Sequence, residues 1–214
     1  MKKVSALVTF LCLSLVTSAQ TLFTYTFDSA ATDQPTVTGL SFNSVSSTAQ
    51  GTISFSASNY IFDGGFSNSA TLDSSTYFSF TITVDSGYTM DLTSFSFDGN
   101  RSGTGPANSV VEVFLNSSSQ GTSSAFVVTD ESGAPSGETN TFDHTDLTSV
   151  TATGQVEYRI YGYNASGSGN FRVDNLTAIG TVSAVPEPSS FAALAGLAML
   201  GFVATRRRSR ATLA

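Results

Sequence analysis

Residues 77–84 read YFSFTITV, and this stretch decides the fold class. Phe78, Phe80, Ile82 and Val84 recur at every second position with Ser79, Thr81 and Thr83 between them. That is the period of a half-buried strand, with one dry face and one wet face. The same alternation runs through Phe23, Tyr25 and Phe27, through Ile53 and Phe55, and through Val111, Val113 and Leu115. Between these runs lie clusters of turn formers: FDGGFSNS (62–69), DSGY (85–88), DGNRSGTGP (98–106), ESGAPSGETN (131–140) and NASGSGN (164–170). Many short strands at such spacing predict an all-β, antiparallel β-sandwich over residues 20–184.

Two strands change phase. Met90 and Leu92 share a parity that Phe95 and Phe97 do not, and Phe171 and Val173 give way to Leu176 and Ala178 across Asp174 and Asn175. One inserted residue in each, a β-bulge, returns the apolar side chains to the core. The passage 158–182, YRIYGYNASGSGNFRVDNLTAIGTV, is expected to close the domain as a hairpin.

Composition agrees. Charged residues make up 12% of the chain, with 17 Phe, 7 Tyr and no Trp. Between Gln20 and Ala184 only Arg101, Arg159 and Arg172 are basic, against fifteen Asp and Glu, a net charge of −12. Such a body repels nucleic acid and anionic lipid, so no nucleic-acid partner is expected.

The other basic residues lie at the two ends. Lys2 and Lys3, then the apolar run VSALVTFLCLSLV, then small residues Thr17 and Ala19 form the pattern of a signal peptide over residues 1–19, which implies passage through the secretion machinery. Cys12, the single cysteine, lies in that segment, which leaves the exported body without thiol chemistry or a disulfide. At the other end, AVPEPSS is followed by an apolar stretch, residues 191–204, and by Arg206, Arg207, Arg208 and Arg210. As a helix those 14 residues reach about 21 Å, against about 30 Å of bilayer core, so a short C-terminal transmembrane helix is expected. The arginines would stay on the cytoplasmic side. Pro186 and Pro188 would hold Glu187 in extended backbone ahead of it, open to a processing enzyme.

This tail, residues 185–210, resembles the PEP-CTERM sorting signals of exported proteins from Gram-negative bacteria that make extracellular polysaccharide. The resemblance implies that Pro186, Glu187 and Pro188 are recognised by exosortase, a membrane-embedded cysteine protease, as a processing site. It further implies an inner-membrane intermediate with the body outside the cytoplasm, held by the C-terminal helix until processing, and then the cell surface or the extracellular matrix.

The closing FRVDNLTAIGTV is similar to the last strand of lectin-like jelly rolls, which makes the expected sandwich jelly-roll-like. That resemblance nominates Asp28 and Asp174 as ligands of one structural Ca²⁺, the only cofactor it suggests. The alternative is that Asp28 ends a strand and Asp174 caps the bulge.

Catalytic residues are not singled out. His144 is the sole imidazole and sits between Asp143 and Asp146 in a polar stretch, there is no GxSxG motif, and no carboxylate pair stands apart. For ligand binding, YRIYGYNA places Arg159, Tyr161 and Tyr163 on the strand face opposite Tyr158 and Ile160, a pattern that could stack sugar rings. The same rings could instead pack against the second sheet. The sequence therefore predicts an exported, non-catalytic structural or adhesive protein. A module binding extracellular polysaccharide is the alternative, and a small extracellular hydrolase the more distant one.

Overall fold

The computed structural model describes residues 19–26, 37–43, 45–48, 53–55, 61–130, 138–143, 151–185, 192 and 194–203. Its strands in chain order are β1 (Gln20–Tyr25), β2 (Leu40–Phe42), β3 (Ser46–Ser47), β4 (Ser54–Phe55), β5 (Ile61–Asp63), β6 (Tyr77–Val84), β7 (Tyr88–Arg101) and β8 (Pro106–Leu115). They continue with β9 (Ser118–Thr122), β10 (Phe126–Val127), β11 (Thr129–Asp130), β12 (Glu138–Asp143), β13 (Thr151–Ala152), β14 (Gln155–Ala165) and β15 (Phe171–Ala184).

These strands form two sheets. The first runs β11-β7-β15-β5-β4, with β1 also on β15 and with β12 and β13 on β7. The second runs β10-β8-β14-β6-β2, with β3 on β6 and β9 on β8. The long pairings β7–β15, β8–β14 and β6–β14 are antiparallel, and β11 lies parallel to β7. The all-β sandwich expected from period-two alternation is therefore present.

Alternation fixes which side chains meet in the middle. Phe78, Phe80, Ile82 and Val84 of β6, with Val156, Tyr158 and Ile160 of β14, face Phe95 and Phe97 of β7 and Phe171, Val173, Leu176 and Ala178 of β15 in one continuous core. Aromatic rings join the sheets at its centre. Tyr158 stacks on Phe80 with centroids 5.0 Å apart and meets Phe95 at 4.4 Å. Pairs of this kind add about 0.5–1.5 kcal/mol beyond the area they bury.

Both phase breaks are bulges. In the β7–β15 ladder Gly180 pairs with Leu92 and Ile179 with Ser94, leaving Thr93 as the extra residue. Asp174 pairs with Asp98 and Thr177 with Ser96, so β15 carries its own extra residue there, and Asn175 takes a positive φ of 49°. Each insertion resets parity so that the Phe95–Phe97 and Leu176–Ala178 pairs point inward.

Two expectations need correction. The terminal hairpin is not one: β14 belongs to the second sheet and β15 to the first. Residues 166–170 cross between sheets, held by the neighbouring crossing at 102–105. Ser166 and Gly167 donate to the Thr104 carbonyl at 3.2 and 3.1 Å, and Ser102 donates to that of Asn170 at 3.1 Å. The two loops touch backbone to backbone, so a Cβ on Gly169 would lie 2.2 Å from the Gly105 nitrogen.

The expected short C-terminal transmembrane helix, residues 191–204, is not found as a membrane span among the described residues. Residue 192 and residues 194–203 are helical, and ten consecutive helical residues reach about 15 Å. Among the described residues no helix is long and apolar enough to cross a membrane.

Candidate ligand-facing surface and sorting segment

The outer face of the second sheet carries its most organised polar cluster. Along β14, Tyr158 and Ile160 enter the core, while Glu157, Arg159 and Tyr161 take the opposite parity. Register then sets their neighbours: Arg159 lies between Glu112 of β8 and Ser79 of β6, Tyr161 beside Tyr77, and Glu157 beside Phe114.

Arg159 is gripped from three directions. Its Nε and Nη2 donate to Glu157 Oε1 and Oε2 at 2.9 and 2.8 Å, a fork that matches the carboxylate. Its guanidinium carbon lies 3.9 Å from the Phe114 ring centroid and 4.8 Å from that of Tyr77. The Glu157 hydrogen bonds, more than any other contact, push the Arg159 pKa further above its ordinary range, so it is a permanent cation. About a quarter of each side chain in the pair remains exposed, 26% for Arg159 and 24% for Glu157.

Tyr161 is not an open platform. It is 1% exposed, and its ring meets Tyr77 edge to face at 5.4 Å. Its hydroxyl donates to Glu112 Oε2 at 2.7 Å, while Ser119 Oγ donates to Oε1 at 2.6 Å. Burial first, and then the bond to Glu112, push the phenol pKa well above the ordinary tyrosine value. Tyr163 is 8% exposed and sits beside the bridge that Ser67 makes to its backbone. Neither ring belongs to the inter-sheet core. The structure thus brings Arg159 and Tyr161 into one cluster and leaves Tyr163 at its end.

Tyr77 and Phe114 complete the cluster, and the sequence reading passed over both. Their signal was present as parity, since each is an aromatic residue next to a core residue of its own strand, Phe78 beside Tyr77 and Val113 beside Phe114.

Asp174 is buried at the β15 bulge, where its Oδ1 accepts the Asn175 amide at 2.8 Å. Asn175 Nδ2 in turn donates to Asp98 Oδ2 at 2.7 Å. Asp28 lies outside the described residues, as do His144, Pro186, Glu187 and Pro188. Among the described residues no three His, Cys, Asp or Glu side chains gather as a metal site would require. The described member of the pair, Asp174, bonds the bulge backbone.

At one end of the sandwich an open recess of about 370 Å³ is lined by Gly65, Phe66, Asn68, Gly167 and Ser168. It offers peptide groups, one amide and one hydroxyl. At the opposite end β15 runs out: Ala184 pairs with Tyr88, and the Val185 amide donates to the Gly87 carbonyl at 2.8 Å. Beyond it the helical residues expose their apolar side chains, Leu194 at 58%, Leu200 at 68% and Phe202 at 60%.

The profile of the PEP-CTERM protein-sorting motif matches residues 184–208. The chain carries a PEP-CTERM sorting motif. The motif starts on the last residue of the last strand, with no intervening linker. A PEP-CTERM motif implies an exported protein, a membrane-anchored intermediate and exosortase as the kind of partner that processes it.

No curated protein sequence matches this chain. Solved structures similar to it include one described as "CBM4 structure and function", at 14% identity and TM-score 0.40 over 63% of this chain and 80% of that one. A family two carbohydrate esterase from Cellvibrio japonicus is similar at 12% identity and TM-score 0.39, over 79% of this chain and 37% of its own. A Stig cyclase, Fisc, from Fischerella sp. TAU is similar at 13% identity and TM-score 0.37, over 79% and 100%. Likenesses this distant carry no functional assignment.

Proposed function

We propose that this is a cell-surface or extracellular-matrix protein, sorted and cut through Pro186–Glu187–Pro188, whose jelly-roll-like body has a structural or adhesive role without catalysis. The observation that carries this reading is the PEP-CTERM motif joined directly to the last core strand. The body suits such a role: its rings and bulges serve packing. The test is cell fractionation with mass spectrometry of the mature C-terminus. The expected result is a surface or matrix form ending near Pro188. A form retained in the cytoplasm with its arginine tail intact would sink the proposal.

A second reading, recognition of extracellular polysaccharide, is favoured by one observation, the Arg159 stack between Phe114 and Tyr77. Arg159 is neutralised by Glu157, and Glu112 adds a further negative charge, so the surface suits a neutral chain whose hydroxyls donate to carboxylates. A pull-down on neutral polysaccharides is expected to retain the protein and to lose it in Tyr77→Ala and Phe114→Ala. Equal retention of both variants would remove this face as the site.

A further inference from the structure

We infer that the end of the sandwich formed by the 37–41, 84–89, 115–118 and 153–155 segments is the surface that abuts the outward face of the processing protease while the tail is cut. The inference rests on the sorting-and-processing reading above.

The argument begins with reach. Val185 is held to the fold by its amide bond to Gly87, and Ala192 is already helical. Six residues, 186–191, lie between them, so even a fully extended chain spans at most about 25 Å from Val185 to Ala192. A protease engaging Pro186–Glu187–Pro188 in that interval has the sandwich end pressed against it.

Topology fixes which end that is. Asp85 donates its amide to the Gly39 carbonyl and Val84 to that of Gly154, while Asn116 donates to that of Gln155. These bonds gather the 37–41, 84–89, 115–118 and 153–155 segments around the exit of β15. The recess at Gly65 and Gly167 lies at the far end of the same strands.

Charge then distinguishes this end from the rest of the body. The body carries a net charge of −12, yet Asp85 is the only Asp, Glu, Lys, Arg or His in these four segments. Its Oδ1 is already engaged by Ser41 Oγ at 2.8 Å. Ser86, Gly87, Asn116, Ser117, Thr153 and Gln155 are exposed there. These four segments, rich in hydroxyls and amides and carrying one carboxylate on an acidic body, can approach a membrane-embedded enzyme, and the anionic lipid around it, with little repulsion of their own.

The test uses the full chain in its producing cells, followed as conversion of precursor to processed form. A small folded domain inserted between Asp85 and Ser86 is expected to slow processing severalfold. The same insertion between Thr71 and Leu72, towards the other end, is expected to leave the rate unchanged. A ten-residue Gly/Ser spacer between Val185 and Pro186 adds about 17 Å of reach and is expected to restore the rate of the first variant. Recovery also demonstrates that the body had folded, which limited proteolysis of the precursor checks directly. Unimpaired processing of the Asp85/Ser86 insertion overturns the inference, as does a failure of the spacer to rescue a protease-resistant body. An unmodified chain that is never cut overturns the processing reading and this inference together.

Discussion

Arg159 and Tyr161 each spend their polar atoms on a carboxylate one strand or two residues away, and that sets what substitutions there will do. Tyr161→Phe deletes a hydrogen bond to Glu112 without changing the ring, and a bond to a charged group is worth about 1.5–3 kcal/mol. The loss is expected near the lower figure, because Ser119 still serves Glu112, and the urea midpoint measures it. Tyr161→Ala also empties a buried site, so its effect on binding cannot be separated from its effect on folding; Tyr77 and Phe114, being partly exposed, are the cleaner probes. At the bulge, Asp174→Asn retains an oxygen for the Asn175 amide and is expected to cost little, whereas Asp174→Ala is expected to cost about 1.5 kcal/mol. A loss in the Asn variant that appears only when Ca²⁺ is present would instead show that the carboxylate's charge is used. The parity of Arg159 was legible in YRIYGYNA, but its burial was not. A strand's period says which face a ring takes and leaves open what the neighbouring strands lay over it.

The loops that carry the chain between sheets matter as much as the strands. Gly169 and Gly105 let the 166–170 and 102–105 crossings meet at backbone distance, so Gly169→Ala must push them apart. It is expected to cost about 3 kcal/mol, the upper end of what overpacking does, and to lower the melting temperature accordingly. Ser168, exposed on the same crossing, is expected to tolerate alanine with no measurable change. The sequence announced a turn at NASGSGN but could not say whether the chain folds back within one sheet or arches to the other. Both need the same small, permissive residues. The difference lies in long-range register, Asn170 against Ser102 across 68 positions, which no local pattern encodes. The bulges were legible for the opposite reason. A bulge shifts the apolar parity of its own strand, and that shift is written in adjacent residues.

For the molecule as a unit, alkali is the informative stress. Tyr25, Tyr158 and Tyr161 are buried, and burial pushes all three phenols above the ordinary tyrosine value, Tyr25 to about 12. The unfolded chain releases a tyrosine proton near pH 10. A folded pKa above that value means stability is fully present below about pH 10 and declines as pH rises through about 12. Thermal melts are expected to be flat up to about pH 10 and to fall above it, with the tyrosinate absorbance of these three residues appearing together with unfolding. Tyrosinate absorbance that titrates fully near pH 10 in a still-folded protein would contradict the burial. The sandwich itself could be read from alternation alone, but its pairing order could not, and that order has a kinetic consequence. β15 is the last strand in the chain, yet it lies inside the first sheet, bonded to β7, β5 and to the first strand, β1, where Thr24 meets Thr177 across 153 positions. Contacts of such separation form slowly. The body lacks an interior strand until residue 184, where the sorting motif begins, has arrived. A chain built this way cannot complete its first sheet before the residue at which the sorting motif begins, so the closing of the body and the arrival of its sorting signal fall at the same point of the sequence.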